Sequence, residues 1–364
     1  MPSFTIAEIA AKLAAEHAGQ SDLVICRACE PATAGPDDLA LAMDPRYGAA
    51  LAAGRARAAV LWPGADWRAL GLKAVIFTPR PRLALAGITG AFAIPPDLPE
   101  GIHPSAVIDA SAEIAPDARI GPFCLIGAGV KIAAGARILS HVSIAEGSTI
   151  GPDALLFSGV RIGSNVRIGR GFIAHYNAVI GSDGFSFVTP EPSGAEQARR
   201  EFRADLPQTA QQYRRIASTG SVTLGDHVEL GACSTIDKGT IADTRIGDGT
   251  KIDNHVQIGH NVRIGRDCLL CAHVAVAGSS VLGDRVVLGG QAGVGDHLNI
   301  GDDVIAAGAT AILSNVPKGR VMMGYPAMPM QANIESYKAL RRLPRLMAKL
   351  ADLQKPVSKP GEKP

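Results

Sequence analysis

Aromatic side chains make up only 4% of this 364-residue sequence and charged ones only 19%, while glycine occurs 41 times. So few large rings exclude a core built around aromatic packing. With apolar residues at 47%, the low charge also excludes a disordered chain. Many tight turns and small stacked side chains fit this profile better. A formal net charge of +2 excludes a strongly basic nucleic-acid binder. No apolar run approaches the ~18 to 20 residues that span a bilayer. The start, Met1-Pro2-Ser3-Phe4-Thr5, lacks a basic region followed by an apolar run, so a cytoplasmic protein is expected. In that compartment the six cysteines (Cys26, Cys29, Cys124, Cys233, Cys268, Cys271) are expected as free thiols. Two Cys-x-x-Cys pairs stand about 240 residues apart, which does not suit paired zinc knuckles. They read as small structural hydrophobes, and no metal is expected.

An aliphatic residue recurs every six positions. One register runs through Ile102, Ile108, Ile114, Ile120, Ile126 and onward to Ile168, and a second from Ile246 to Ile312, with Ala306 its one lapse. Four residues after the anchors come small or β-branched residues, such as Cys124, Val142, Val160, Val256 and Val274. Glycine often follows the anchor directly, as at Gly121, Gly259 and Gly301. A period of six is neither helical nor a simple strand alternation. It predicts a parallel β-helix in which short strands wind round a triangular prism, one inward anchor per face. Residues about 18 apart in one register then stack at roughly 4.8 Å.

The repeat occupies residues 99–318 and is interrupted twice. Residues 182–221, with Pro190, Pro192 and Pro207, read as an extruded loop. Between Ile236 and Ile246 the spacing is ten, an insertion of four. Residues 1–98 read as a small α/β domain. Thr5 and Glu8 form a capping box for a first helix, and the segments around Val60-Leu61-Trp62 and Ala74-Val75-Ile76-Phe77 read as buried strands. Residues 319–354 read as a helical extension in which Pro344 must kink the helix or start a second one. Residues 355–364 read as a disordered tail. From residue 331 onward eight Lys and Arg face three Asp and Glu, so this end carries +5 and the rest of the chain −3. That excess is either a solvated helix face or a docking surface for an acidic partner.

The whole chain resembles the UDP-3-O-acylglucosamine N-acyltransferases of lipid A biosynthesis. The matches are Leu41-Ala42-Met43-Asp44-Pro45-Arg46-Tyr47, Gly181-Ser182-Asp183-Gly184-Phe185, Ile236-Asp237-Lys238-Gly239-Thr240, and the segment Lys251 to Val262. The resemblance implies left-handed winding and a homotrimer. It implies transfer of a 3-hydroxyacyl group from acyl carrier protein to the 2-amino group of UDP-3-O-acylglucosamine. The donor is the carrier's phosphopantetheine thioester, with no further cofactor. In the family the histidine of the Gln-Ile-x-His-Asn segment is the general base, here His260. It follows inward Ile258 by two residues, so it lies at or near a turn and can face outward; imidazole titrates in the range such a reaction needs. Gly278, 18 residues on, stacks one coil later and offers a backbone N–H to the oxyanion, a role the resemblance supports.

Asp253 is a candidate for orienting the His260 imidazolium; the alternative is a carboxylate that caps a turn. His297 matches a second family histidine near the carrier arm. His141, His227, His255 and His273, like His297, sit three residues after an anchor, which suits turn residues of no special chemistry. Tyr47 matches a uridine-binding tyrosine, whereas Asp44 stands where the family has Asn and Leu41 where it has an aromatic. Asp183 and Phe185 are candidate substrate contacts.

Other readings keep the fold. One is another hexapeptide sugar-nucleotide acyltransferase using acyl-CoA, an O-acyltransferase or an N-acetyltransferase. A second is a γ-carbonic-anhydrase-type zinc lyase, for which His255 and His260 offer two ligands but Thr219 stands where a third is needed. The third is a non-catalytic scaffold.

Overall fold

The computed structural model describes residues 2–194, 196–197, 210–324 and 327–353. The chain divides into two units, residues 1–97 and 98–364.

In the first unit, Thr5 caps helix α1 (Ile6–Leu13): its side chain accepts from the Glu8 N–H, and the Glu8 carboxylate accepts from the Thr5 N–H. Four parallel strands, Arg27–Cys29, Asp38–Ala42, Ala58–Leu61 and Ala74–Phe77, are completed by antiparallel His17–Gly19. Successive side chains of a strand face opposite ways. Leu39, Val60 and Ile76 therefore meet Ile6 and Ile9 of α1 and Ile88 of α2 (Pro81–Phe92), while Ala40, Leu61 and Val75 pack with Leu51.

In the second unit, two-residue strands stack into three parallel sheets of ten, ten and nine strands. The first face includes Arg119–Ile120 and Lys251–Ile252, the second Leu125–Ile126 and Gln257–Ile258, and the third Lys131–Ile132 and Arg263–Ile264. Partners in uninterrupted stretches are 18 residues apart, as in Gln257↔Ala275 and Ile258↔Val276. The anchors form the core: Ile126, Ile144, Ile180, Ile236 and Ile258 are at most 1% exposed. Burying each such side chain contributes about 1.5–3 kcal/mol. The ladder reaches Val321–Met322, which pairs with Ile305–Ala306.

The third residue after an anchor takes the left-handed backbone region: φ is 58° at His141, 56° at His227, 58° at His255, 61° at His273 and 58° at His297. Such turns close the corners. They fall on glycine or on short polar residues, with Phe123 and Cys233 among the exceptions.

Cys124 and Cys268 are buried as filler but also donate S–H to the Leu139 and Gly283 carbonyls, just as Thr250 and Ser280 donate at equivalent positions. Cys26 and Cys233 are exposed, so the reading as buried filler does not extend to them. Helix α3, Met330–Leu353, runs through Pro344 as one helix, and Pro344 starts no second one. No described helix is long and apolar enough to cross a membrane. The expected tail, 355–364, lies outside the described residues.

Candidate active site

Both interruptions leave the prism at the corner between the second and third faces. The first departs after strand Val179–Ser182 and returns at Val222–Leu224; its described part holds a small hairpin, Phe187–Val188 against Arg214–Arg215. The second departs after Thr235–Asp237 and returns at Thr244–Ile246. Backbone hydrogen bonds lace the two together: Lys238 N–H to Ser182 O (2.8 Å), Thr219 N–H to Thr240 O (2.8 Å) and Gly220 N–H to Gly239 O (3.0 Å). The next turn at this corner carries Gly259-His260-Asn261, so the insertions stand against His260.

Three contacts fix its ring. His260 Nδ1 lies 3.0 Å from Asn261 Oδ1. That oxygen also accepts from the Thr240 N–H (3.1 Å) and hydroxyl (2.9 Å), while Asn261 Nδ2 donates to Ala242 O (3.3 Å). With donors on one side and an acceptor on the other, the amide has one sensible orientation. An amide oxygen only accepts, so Nδ1 carries the proton and Nε2 is left as the basic nitrogen. Glycines flank the ring. A Cβ on Gly184 would fall 2.7 Å from His260 Cβ and 2.9 Å from Cδ2; one on Gly278 would fall 2.7 Å from Cε1 and 2.8 Å from Nε2. Any side chain at either position would displace the imidazole.

His260 lines a cleft of about 700 Å³ on the second face. Its floor is the outward residues of successive strands, Thr235, Gln257, Ala275, Gly293 and Ala311, so it becomes small and apolar along the prism. Asp183 and Phe185 border the same cleft. The Asp183 carboxylate is held by Lys238 Nζ at 3.0 Å and Arg215 Nη1 at 3.3 Å, and Phe185 is 87% exposed.

The other expected residues fall elsewhere. Within the protomer Asp253 is not brought to His260. It sits at the preceding corner, between the first and second faces, where it accepts from the Asn254 N–H (2.7 Å) and the Ala272 N–H (3.1 Å). The turn-capping alternative describes these contacts. Asp237, like Asp183, lines the cleft with His260, and it is the more deeply buried of the two carboxylates. His297 follows the stack at the same corner as His260, its N–H donating to Gly278 O, with an exposed ring 3.5 Å from Asp296. In the first unit Asp44 caps the 3-10 helix Pro45–Ala53, accepting from the Arg46 N–H at 3.0 Å. Tyr47 is 44% exposed, with the Arg46 guanidinium 4.7 Å over its ring. Sequence reasoning missed Gly184 and Asp237 as neighbours of the imidazole, and Thr240 as the donor that orients Asn261. The quoted motifs contain all three, but the contacts span insertions whose paths a repeat period does not set.

A prism of hexads with a histidine cleft at one corner defines a hexapeptide-repeat transferase. The profile for bacterial transferase hexapeptide (six repeats) matches residues 243–278, and that of the GMPPB C-terminal domain matches 102–184. A Ruegeria pomeroyi protein named UDP-3-O-acylglucosamine N-acyltransferase is 56% identical over 359 residues, 99% of each chain. A protein of the same name from Paracoccus denitrificans is 52% identical over 98% of each. The chain belongs to the UDP-3-O-acylglucosamine N-acyltransferase family and is an acyltransferase. The fold is also that of a UDP-N-acetylglucosamine acyltransferase from Arabidopsis, at a TM-score of 0.51 and 23% identity over 61% of this chain and 71% of that one.

Proposed function

We propose that the protein transfers a 3-hydroxyacyl group from acyl carrier protein to the 2-amino group of UDP-3-O-acylglucosamine, with His260 as general base. The observation that carries this reading is the imidazole itself, its Nδ1 proton committed to Asn261 and its Nε2 left basic at the head of an apolar groove. The amine nitrogen attacks the thioester carbonyl, forming the C–N bond. His260 Nε2 takes the proton that nitrogen sheds. The backbone N–H of Gly278 stabilises the oxyanion as the tetrahedral centre forms. When that centre collapses the C–S bond breaks, and the imidazolium returns its proton to the departing pantetheine thiolate. The donor's own thioester activates the acyl group, so the reaction calls for no resident cofactor.

The small residues Ala275, Gly293 and Ala311 leave room for an extended chain along the second face. Tyr47 offers a ring for the uracil, and Asp44 shapes the turn that carries it. His297 faces the carrier arm, and the +5 end of the chain suits an acidic carrier. The working form is a homotrimer, in which a neighbouring prism closes the cleft against water. The decisive assay gives purified protein UDP-3-O-acylglucosamine and either 3-hydroxyacyl carrier protein or the matching acyl-CoA. The expected result is a diacylated product with the carrier protein only; equal turnover with acyl-CoA would favour the coenzyme-dependent relatives.

A further inference from the structure

Asp237 is 7% exposed, yet it lines the same cleft as His260. Its Oδ1 accepts from the Ser182 hydroxyl at 2.7 Å and its Oδ2 from Gln257 Nε2 at 3.0 Å. Both donors are neutral. Among the described residues no Lys or Arg forms an ion pair with it: Lys238, next in the chain, turns to Asp183, as does Arg215. Burial pushes the Asp237 carboxyl above its ordinary value; the Asp183 charge adds to this, while the two hydrogen bonds and His260 oppose it. A carboxylate withdrawn from water with no fixed cation is costly to keep, unless a positive group reaches it during the working cycle.

We propose that Asp237 docks the acceptor's amino group, accepting a hydrogen bond from one of its N–H groups and supplying counter-charge when the amine arrives as ammonium, whose extra proton leaves to solvent before the nitrogen attacks. The inference rests on the amine-acceptor reading above and assigns that reading its specificity residue. A hydroxyl acceptor brings no positive charge, so the carboxylate separates 2-amino from 2-hydroxy sugars. The product amide is neutral, so the attraction ends when the acyl group is in place.

The test is calorimetric binding to the full-length protein without acyl donor, using UDP-3-O-acylglucosamine and its 2-hydroxy counterpart, UDP-3-O-acylglucose. The wild type should prefer the amine by about 30-fold, the scale of a charged hydrogen bond. D237N, checked by its melting curve, should bind the two ligands within about threefold of each other. S182A, which keeps the charge, should retain most of the preference. Equal binding of both ligands by the wild type overturns the proposal with no variant required. Retention of the preference by D237N overturns it while leaving the proposed function standing, and so does a D237N that loses turnover alone, since the carboxylate would then serve the imidazolium. Failure of the wild type to bind either ligand sinks the acceptor reading itself.

Discussion

His255 and His260 stand five residues apart on consecutive corners of one coil, and their surroundings have little in common. His255 holds a left-handed turn and stacks on His273 one coil later, ring centroids 5.1 Å apart and planes within 4°. His260 precedes the left-handed residue, Asn261, and lies between two glycines with one nitrogen committed. The coil gives both histidines an outward path. Only the corner where two insertions leave the prism adds groups that fix a ring and its tautomer. A repeat supplies positions, and the interruptions turn one of them into a site.

The largest expected effect breaks this contrast directly. H260A should lower turnover by about 10³-fold or more, the scale of a lost general base, with an unchanged melting temperature. H255A and H273A should each stay within about twofold. A methyl group is the next probe. G278A puts a Cβ 2.7 Å from the His260 ring and should cost about 10²-fold in kcat by displacing it. Gly290 has the same offset from its anchor at His255's corner, one coil further along, where a Cβ would have Ala272 O at 3.5 Å as its nearest neighbour, so G290A should be close to silent. N261A frees Nδ1 and lets either tautomer form; kcat should fall about 10-fold, with KM for the donor unchanged.

The corner between the third and first faces sharpens the comparison from outside. There, further along the column than His227, carboxylates follow one another: Asp284 accepts from the Arg266 N–H at 2.8 Å, and Asp302 from the Asp284 N–H at 2.9 Å. The Arg266 N–H, with the Arg266 and Arg285 charges behind it, holds the Asp284 carboxyl below its ordinary 3.8. A depressed folded value means stability present above the unfolded value and lost as pH falls through the folded one. D284N should therefore lower Tm at pH 7 by about 2 °C, and the deficit should shrink as the pH is taken below 3.8, with activity untouched.

The prism was legible because each hexad repeats the same burial decision: Ile258 points inward for the reason Ile120 does. The outward reach of His260 followed from its offset. The partner of His260 did not. Seven residues back is one strand and one corner away, so Asp253 lands on the preceding corner and caps it. Gly184 reaches His260 across 76 positions, and Thr235 pairs with Gln257 across 22 instead of 18, because the four-residue insertion intervenes. Asp44 follows the same rule: an Asp ahead of Pro45 is a cap before it is a ligand.

The strand that precedes His260 has three strands on one side of it in its sheet and six on the other. In a solenoid each coil is held only by its neighbours, so thermal opening begins at the two ends and travels inward. Fraying must consume several coils before it reaches the imidazole. The His260 corner thus sits away from both ends of the column, and the ends can loosen with temperature while the geometry around Nε2 stays in register.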